Sequence, residues 1–397
     1  MVGKRTSIEY KRMGGGVKIK RLFFLLISLS LPIFILTFLK KSPYADTPYS
    51  IQKRAPGNWG EAIITPFQHD AKAAVSITLD DGKLNNYVYA LPVFEKHKFK
   101  ATFCITTSDV SPVRIPLKNA HLSQYMDWDR IRSLSDKGHE IASHSVEHVY
   151  FDKLNSVEIY NNIYNSKIEI EEKTGKPCVS FVYPFANFTE QSKKMIENVG
   201  YVCARISQSM YNSITPDFYA LKSHAILEND NPSLKEFSIW IRDVLSQSDW
   251  LILMYHNVLP EKDVEFIQRK KQDTDEYTLN LYPSTLDSQM KIIKKSGAWV
   301  APMGEVAKYL KERIHTKINN DFGNDILTVS LKDNLPDDVY NIPLTLKIKV
   351  PWKKVKVKGA LQDGEFRAKK GYILIDAYPD SKIEVKEANN EKYQNQG

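Results

Sequence analysis

The chain has 397 residues, of which 42% are hydrophobic and 26% charged, an ordinary globular composition for a chain longer than one average domain. Its formal net charge of +8 does not indicate nucleic-acid binding, because the excess lies in one short segment. Residues 1–41 hold nine Lys/Arg and one acid, Glu9, and the remaining charges balance. We therefore expect no nucleic-acid partner.

Residues 22–39 are an uncharged, mostly apolar run, LFFLLISLSLPIFILTFL, near the minimum length that spans a bilayer. More positive charge precedes this run than follows it, which predicts that the chain after Lys41 lies outside the cytoplasm of a bacterial cell. A signal anchor and a cleaved signal peptide both fit, and the poor cleavage site around Ala45 slightly favours the anchor. The protein is thus expected to be membrane-anchored through residues 22–39, or secreted if that segment is cleaved.

Residues 42–70 are rich in proline and polar residues and predict a linker and entry segment. Apolar runs then alternate with helical patterns over residues 71–318. The predicted strands are Ala71–Leu79, Ala101–Thr106, His139–Ser143, Val179–Tyr183, Tyr201–Ala204, Trp250–Tyr255 and Ala298–Ala301. The predicted helices are Asn85–Lys98, Asp129–Lys137, Ser156–Lys173, Glu190–Val199, Ser233–Ser246, Ser284–Lys295 and Gly304–Arg313. Continuous apolar strands alternating with helices are typical of a parallel sheet covered by helices, and about seven such units over ~250 residues favour a (β/α) barrel.

Residues 319–390 have a different pattern, in which apolar and polar residues alternate and turn signals separate short runs. The predicted strands here are Ile326–Leu331, Leu344–Val350, Lys354–Val357, Tyr372–Ala377 and Lys382–Val385. No helical pattern is present, so we predict a small accessory domain, an antiparallel β-sandwich.

The three cysteines, Cys104, Cys178 and Cys203, form no C-x-x-C pair and do not predict a zinc cluster. Buried free thiols are the default expectation. An oxidising compartment would permit one disulfide, with Cys178 and Cys203 as the pair to test.

The chemistry of the chain centres on G-H-E-I-A-S-H-S-V-E-H, residues 138–148. If this stretch forms a helical turn, His144 and His148 lie on one face and can bind one metal ion such as zinc. The spacing alone is weak evidence, since such pairs are common without a metal. His139 begins an apolar run and is expected to start a strand rather than bind metal.

A third ligand is available at the end of the first barrel strand, in Asp80-Asp81-Gly82. Gly82 permits an unusual backbone turn, so both carboxylates can face the mouth of the barrel. Two acids so close together suggest one metal ligand and one general base. A pair of acids capping a helix is the structural alternative.

Together, T-L-D-D-G (Thr78–Gly82) and H-S-V-E-H (His144–His148) resemble the first two motifs of the polysaccharide deacetylases, carbohydrate esterase family 4, or NodB-type domains. The resemblance covers residues 60–315. It implies a distorted (β/α)7 barrel that binds one divalent metal, usually zinc. It also implies that Asp81, His144 and His148 are the metal ligands and that Asp80 is the general base.

The third family motif, R-x-P-Y, corresponds to Val182-Tyr183-Pro184-Phe185. The resemblance implies that the Phe185 N–H stabilises the oxyanion, and that Tyr183 and Pro184 lie at the substrate. Val182 stands where the family has the arginine that supports the base. The fourth motif, D-x-x-D-W, is not evident, and Asp217 and Arg205 are the candidates to substitute for it.

The fifth motif resembles Met254-Tyr255-His256, which makes His256 the expected general acid for the leaving group. Trp250, on the same predicted strand, is expected either to line an acetyl pocket or to pack in the core.

These expectations combine into a metal-dependent hydrolase that removes N-acetyl or O-acetyl groups from an acetylated polysaccharide or oligosaccharide. The missing arginine leaves an alternative, a glycan-binding protein on the same barrel with little or no activity. A third possibility is that the C-terminal β domain alone supplies the function as a binding module. The sequence gives no indication of an oligomeric state.

Overall fold

The computed structural model describes residues 60–117, 124–226, 232–260 and 280–388. The predicted signal anchor or signal peptide, residues 1–41, lies outside these ranges, as does most of the predicted linker. Among the described residues, no helix is both long enough and apolar enough to span a bilayer.

A closed ring of seven parallel strands forms the centre of the molecule, in the order β6-β5-β4-β3-β2-β8-β7. The strands up to residue 300 are β1 (Ala62–Ile64), β2 (Ala74–Leu79), β3 (Thr102–Ile105), β4 (Glu140–Ser143), β5 (Ser180–Val182), β6 (Cys203–Arg205), β7 (His224–Ala225), β8 (Trp250–Tyr255), β9 (Asn257–Val258), β10 (Asn280–Leu281) and β11 (Trp299–Val300). A parallel bridge between Arg205 on β6 and Leu221, just before β7, closes the ring. The predicted (β/α)7 barrel is confirmed.

The barrel is distorted at one strand, β2. One edge of β2 pairs with β8 along its whole length, Ala74 to Leu79. The other edge is divided, because β3 pairs only with Thr78 and Leu79 while β11 pairs with Ala74 and Val75. The short β11 therefore separates β2 from β3 at the amino-terminal end of the barrel.

Helices cover the outside of this sheet. They are α1 (Leu91–His97, preceded by the π-helical segment Asn86–Ala90), α2 (Trp128–Asp136), α3 (Ser156–Thr174), α4 (Glu190–Asn198), α5 (Leu234–Gln247), α6 (Pro283–Ser296) and α7 (Met303–His315). The odd-numbered residues of β2, Val75 to Leu79, pack in the core under the helices, whereas Ala74 belongs to the core inside the barrel. Strand alternation then directs Asp80, the next even-numbered residue after β2, into the barrel.

Two antiparallel sheets make up the C-terminal region. Its elements are β12 (Lys317–Gly323), β13 (Ile326–Lys332), α8 (Asp337–Tyr340), β14 (Leu344–Lys349), β15 (Lys354–Lys358), β16 (Gly364–Arg367), β17 (Tyr372–Ala377) and β18 (Lys382–Glu387). The sheet orders are β12-β13-β18-β15-β16 and β1-β14-β17. Their buried apolar residues share one core, which agrees with the predicted β-sandwich.

The structure contains elements that the sequence did not predict, among them strands β7, β12 and β16. Ala62–Ile64, expected to be part of an entry segment, forms β1 and pairs with Leu346 to Ile348 of the C-terminal sheet. A short helix, Asp337–Tyr340, lies where no helix was expected. The segment before the barrel is therefore also a structural part of the C-terminal domain.

Cys104, Cys178 and Cys203 are buried free thiols, so the alternative of a Cys178–Cys203 disulfide is wrong. Burial raises the pKa of the Cys178 and Cys203 thiols to about 12, which makes both unreactive. The Cys203 Sγ lies 3.3 Å from the Ser180 hydroxyl instead.

A buried acid, Glu312 of α7, lies where the barrel meets the C-terminal domain. Its side chain is 1% exposed. The pKa of Glu312 is raised to about 8, mainly by burial and also by the nearby carboxylate of Asp333. The folded protein therefore holds a proton on Glu312 at pH values at which the unfolded chain has lost it.

This proton linkage predicts how stability depends on pH. Because the folded-state pKa is raised above the ordinary value of 4.5, the free energy of unfolding falls as pH rises from about 4.5 to about 8. Glu312→Gln removes that titration. We expect the variant to have a Tm about 2–5 °C above the wild type at pH 8.5 and no higher than the wild type at pH 5, measured by calorimetry. The exposed Glu387→Gln is the control, and equal pH dependence in wild type and Glu312→Gln would contradict the assignment.

Candidate active site

The carboxyl ends of the barrel strands bring the predicted polar residues to one mouth. Asp80 and Asp81 follow β2, His144 follows β4, and His256 follows β8. Within this group the Asp80 carboxylate lies 3.9 Å from the Nε2 of His256. The Asp81 carboxylate lies 3.6 Å from the Nε2 of His144. The sites predicted from separate stretches of the sequence thus form one cluster, as expected for a barrel of this kind.

The turn after β2 directs the two carboxylates differently. The Asp80 N–H continues the ladder by donating to the Tyr255 carbonyl at 2.9 Å, so the Asp80 side chain points into the barrel and is almost fully buried. Asp81 itself adopts the left-handed conformation, with φ of 70°, followed by Gly82 with φ of 67°. The reversal was expected from Gly82 alone, but Asp81 carries it as well, and aspartate tolerates this conformation better than most residues. Asp81 therefore faces the two histidines.

Asp81, His144 and His148 present one ligand atom each to a common point. The Nε2 atoms of the two histidines are 3.1 Å apart, and the Asp81 Oδ1 lies 3.6 Å from that of His144 and 3.8 Å from that of His148. A tetrahedral zinc with bonds of about 2.1 Å places its ligand atoms roughly 3.3–3.4 Å apart. The triangle therefore fits a divalent metal ion of that size.

A hydrogen bond outside the triangle fixes the tautomer of His144. The Nδ1 of its ring lies 2.8 Å from the Val182 carbonyl oxygen, and only a protonated Nδ1 can donate there. The lone pair is then on Nε2, the atom that faces Asp81 and His148. Metal-binding histidines commonly use such a second partner to hold the ring in its binding orientation.

The His144–His148 segment is not helical, so the prediction that a helical turn places both rings on one face is wrong. The chain turns at Ser145, whose φ is 68°, and the Ser145 hydroxyl donates to the Glu147 carbonyl at 2.7 Å. The two rings meet with centroids 4.7 Å apart. His139 has no part in the triangle, since its Nδ1 accepts a hydrogen bond from the Ala101 N–H and its ring packs on Phe103.

The cation beside Asp80 is Arg205, on β6. Its Nη2 donates to the Asp80 Oδ2 at 2.5 Å, and its Nη1 donates to the Ser223 hydroxyl at 3.0 Å. Burial acts to raise the pKa of Asp80, but Arg205, with smaller contributions from His144 and His256, outweighs it and lowers that pKa to about 2. Asp80 is thus ionised, and its Oδ1 is buried without a hydrogen-bond partner among the described residues.

Arg205 occupies a position related to the missing family arginine. Val182, which stands at the motif position, is the register partner of Arg205 on the neighbouring strand. A guanidinium thus contacts Asp80 from the strand next to the one that carries Val182. Asp217 and Arg205 were the candidates for the fourth motif. Of these two residues, Arg205 contacts Asp80, whereas Asp217 pairs with Lys193.

Phe185 lies in a tight turn directly after β5. Its φ is 54°, and the turn is closed by hydrogen bonds from the Ala186 N–H to the Tyr183 carbonyl and from the Asn187 N–H to the Pro184 carbonyl. The Phe185 N–H takes no part in these two bonds. The Phe185 ring packs against the His148 ring, with centroids 4.3 Å apart. The turn therefore borders the three candidate metal ligands Asp81, His144 and His148, called the metal triangle below.

The side chains of the three predicted substrate contacts are buried. Trp250 is 0% exposed at the first position of β8, the opposite end of that strand from His256, and its Nε1–H donates to the Ser76 hydroxyl. It packs inside the barrel and lines no acetyl pocket. Tyr183 is 2% exposed with its hydroxyl donating to the Tyr219 carbonyl, and Pro184 is also buried.

Part of the chain matches a known protein family. Residues 68–204 match the family model described as polysaccharide deacetylase. The match covers about a third of the chain. The resemblance expected from the sequence motifs is therefore confirmed.

The chain is similar to two curated proteins. A gellan lyase of a Bacillus species is 23% identical over 360 residues, which cover 82% of this chain and 13% of the lyase. The putative polysaccharide deacetylase YxkH of Bacillus subtilis (strain 168) is 22% identical over 182 residues, 46% of this chain and 61% of YxkH. The chain thus spans less than two thirds of each of these relatives.

Among solved structures, the chain is similar to a putative polysaccharide deacetylase from Mycobacterium smegmatis, with a TM-score of 0.45 and 11% identity, covering 66% of this chain and 98% of that one. It is also similar to wild-type BA3943, a CE4 family pseudoenzyme from Bacillus anthracis, with a TM-score of 0.38 and 17% identity, covering 60% and 66%.

The triangle predicts where a metal will bind. We expect purified protein to bind one Zn²⁺, and His144→Ala to weaken that binding by roughly 100-fold or more, because it removes a ligand. Titration calorimetry and elemental analysis measure the two quantities. His69→Ala, which changes an exposed histidine on the barrel's amino-terminal side, is the control. Unchanged zinc content in His144→Ala would show that the ion binds elsewhere.

Proposed function

We propose that this protein is a metal-dependent hydrolase that removes acetyl groups from a polysaccharide by means of a metal-activated water. One observation carries the proposal: an ionised carboxylate, Asp80, has one oxygen held by Arg205 and the other without a partner, next to a triangle of three metal-ligand atoms. A base beside a metal site, rather than in it, is what hydrolysis by activated water requires.

Asp81, His144 and His148 would hold the ion. When bound, a divalent metal at such a site lowers the pKa of a coordinated water toward neutrality and polarises a carbonyl oxygen. Asp80 Oδ1 is the acceptor for the water proton, while Arg205 keeps Asp80 from turning toward the ion. A carboxylate with a pKa of about 2 is a weak base, so it depends on the acidity of the water it deprotonates.

The other steps need a hydrogen-bond donor and an acid. We assign the Phe185 N–H as the donor that stabilises the oxyanion. Its turn borders the triangle, and the two hydrogen bonds that close the turn do not use this N–H. We assign His256 as the acid that protonates the leaving amine or alcohol. Its Nε2 is 3.9 Å from the Asp80 carboxylate, and its ring remains partly open to the mouth.

The proposed substrate is an acetylated polysaccharide or oligosaccharide outside the cytoplasm, carrying N-acetylated amino sugars or O-acetyl groups. The family match supports this class. The apolar run at residues 22–39 would attach the enzyme to the membrane, or direct its secretion if cleaved.

Acetate release tests the proposed function. With Zn²⁺ added, we expect protein comprising residues 42–397 to free acetate from at least one of three substrates: acetylated chito-oligosaccharides, peptidoglycan or acetylated xylan. Asp80→Asn should bind zinc normally but lose about 100-fold or more of the rate, because the amide cannot accept the proton. If wild type frees no acetate from any of these yet binds the same glycans, the glycan-binding alternative replaces the enzyme.

A second prediction concerns the displaced arginine. Arg205→Met removes the cation beside a buried carboxylate, so we expect both a loss of stability of about 3–5 kcal/mol and a fall in kcat of about 100-fold. Val182→Arg in the Arg205→Met background returns a guanidinium to the register partner and should restore part of both. Rates and unfolding free energies of the three variants measure this, with Val182→Arg alone as the control. No recovery in the double variant would show that position 182 cannot replace Arg205.

A further inference from the structure

An aromatic column extends from the metal triangle to the surface. The Phe185 ring contacts His148, and on its other side it stacks on Tyr150 with centroids 4.1 Å apart and an interplanar angle of 5°. Tyr150 is thus two ring contacts from a metal ligand. Nothing in the proposed chemistry uses its side chain.

The column is held rigidly from below. Next to Tyr150, Phe151 is fully buried in the core against Phe181. The two loops that carry the stacked rings are joined by a hydrogen bond of 2.9 Å from the Asp152 N–H to the Asn187 side-chain oxygen. Phe185 is also fixed in an unfavourable left-handed backbone conformation, which persists only where surrounding contacts impose it.

Despite this rigid support, the two rings are open to solvent. Tyr150 is 47% exposed and Phe185 is 51% exposed, whereas Phe181 and Tyr183 on the adjacent strand are buried. Single exposed apolar residues are common and need no explanation. An ordered, stacked pair at the mouth of a catalytic site is different, because fixed aromatic faces beside polar catalytic groups are the usual lining of a ligand site.

The chemistry of the column fits a sugar ring. The face of a pyranose that carries axial C–H groups is apolar, and the face of an aromatic ring is weakly negative, so the two stack with release of water. One face of Phe185 is taken by Tyr150, and His148 meets the Phe185 ring at 65°. The open aromatic face is therefore that of Tyr150.

We propose that Tyr150 is a stacking platform for a sugar unit next to the one that loses its acetyl group. The proposal rests on the proposed function and adds that the substrate is an oligomer or polymer rather than a single sugar. A sugar on Tyr150 is separated from the metal triangle by the Phe185 ring. It therefore belongs to a neighbouring unit of the chain, and a monosaccharide at the metal cannot use this contact.

The test compares substrates with and without that neighbouring unit. We expect Tyr150→Ala to lower kcat/KM about tenfold on the acetylated chito- or xylo-oligosaccharide that the wild type deacetylates best. Its kcat/KM on p-nitrophenyl acetate, which has no sugar, should stay within twofold of wild type. Tyr150→Trp should retain the oligosaccharide rate. The control is Tyr160→Ala, which changes an exposed tyrosine stacked on Tyr164 along α3.

Two results would overturn the proposal. An oligosaccharide kcat/KM within twofold of wild type would mean that the ring contacts no sugar. Equal losses on both substrates would mean that Tyr150 only supports Phe185 and the site.

A binding measurement separates failure of this proposal from failure of the proposed function. In the Asp80→Asn background, calorimetric titration with the same oligosaccharide should show about tenfold weaker binding after Tyr150→Ala, whether or not the wild type releases acetate.

Discussion

The Asp80 carboxylate lies inside a closed barrel, where burial alone would favour its protonated form. A cation must therefore lie within hydrogen-bonding distance, and in this chain that cation is Arg205. The pair ties the carboxyl end of β2 to that of β6 and holds one of the two Asp80 oxygens. The position of the proposed base and its separation from the metal ligands depend on this buried contact. The stability of the barrel at the carboxyl ends of its strands depends on it as well.

The catalytic geometry is built from backbone conformations that ordinary residues avoid. Asp81, Ser145 and Phe185 all have positive φ, and each lies just beyond the carboxyl end of a barrel strand. Each reversal lets the chain present a group at the mouth: a carboxylate, a second histidine and an N–H with an exposed ring. A rigid parallel sheet can impose such conformations, which cost about 1–3 kcal/mol each. The proposed oxyanion donor lies in the last of these turns, and the proposed sugar platform, Tyr150, stacks on the ring of the same residue, Phe185.

The features that the sequence predicted are those encoded locally. The metal triangle follows from two short motifs, and the barrel follows from apolar runs separated by helical patterns, so both could be read from neighbouring residues. The contact between Arg205 and Asp80 could not be predicted, because it joins the end of β6 to the end of β2, which are far apart in the sequence. The two-residue strand His224–Ala225 was too short to form a pattern. Ala62–Ile64 was missed because its partner strand lies far along the chain, at Leu346 to Ile348.

For Trp250 the fold decides between the two roles considered from the sequence. Its closeness in sequence to His256 suggested a role at the mouth, but the strand between them carries them to opposite ends of the barrel. Direction along a strand, which sequence proximity hides, decides which residues can meet a substrate. Tyr150 lies in no motif, and only the three-dimensional structure places its ring against Phe185.

The most direct test of this account is a crystal structure of the zinc-loaded protein with anomalous diffraction recorded at the zinc absorption edge. We predict one strong peak bonded to Asp81, His144 and His148, with Asp80 still paired to Arg205 and outside the coordination sphere. A peak elsewhere, or Asp80 bound directly to the ion, would contradict the assignment of Asp80 as a base that Arg205 keeps out of the coordination sphere.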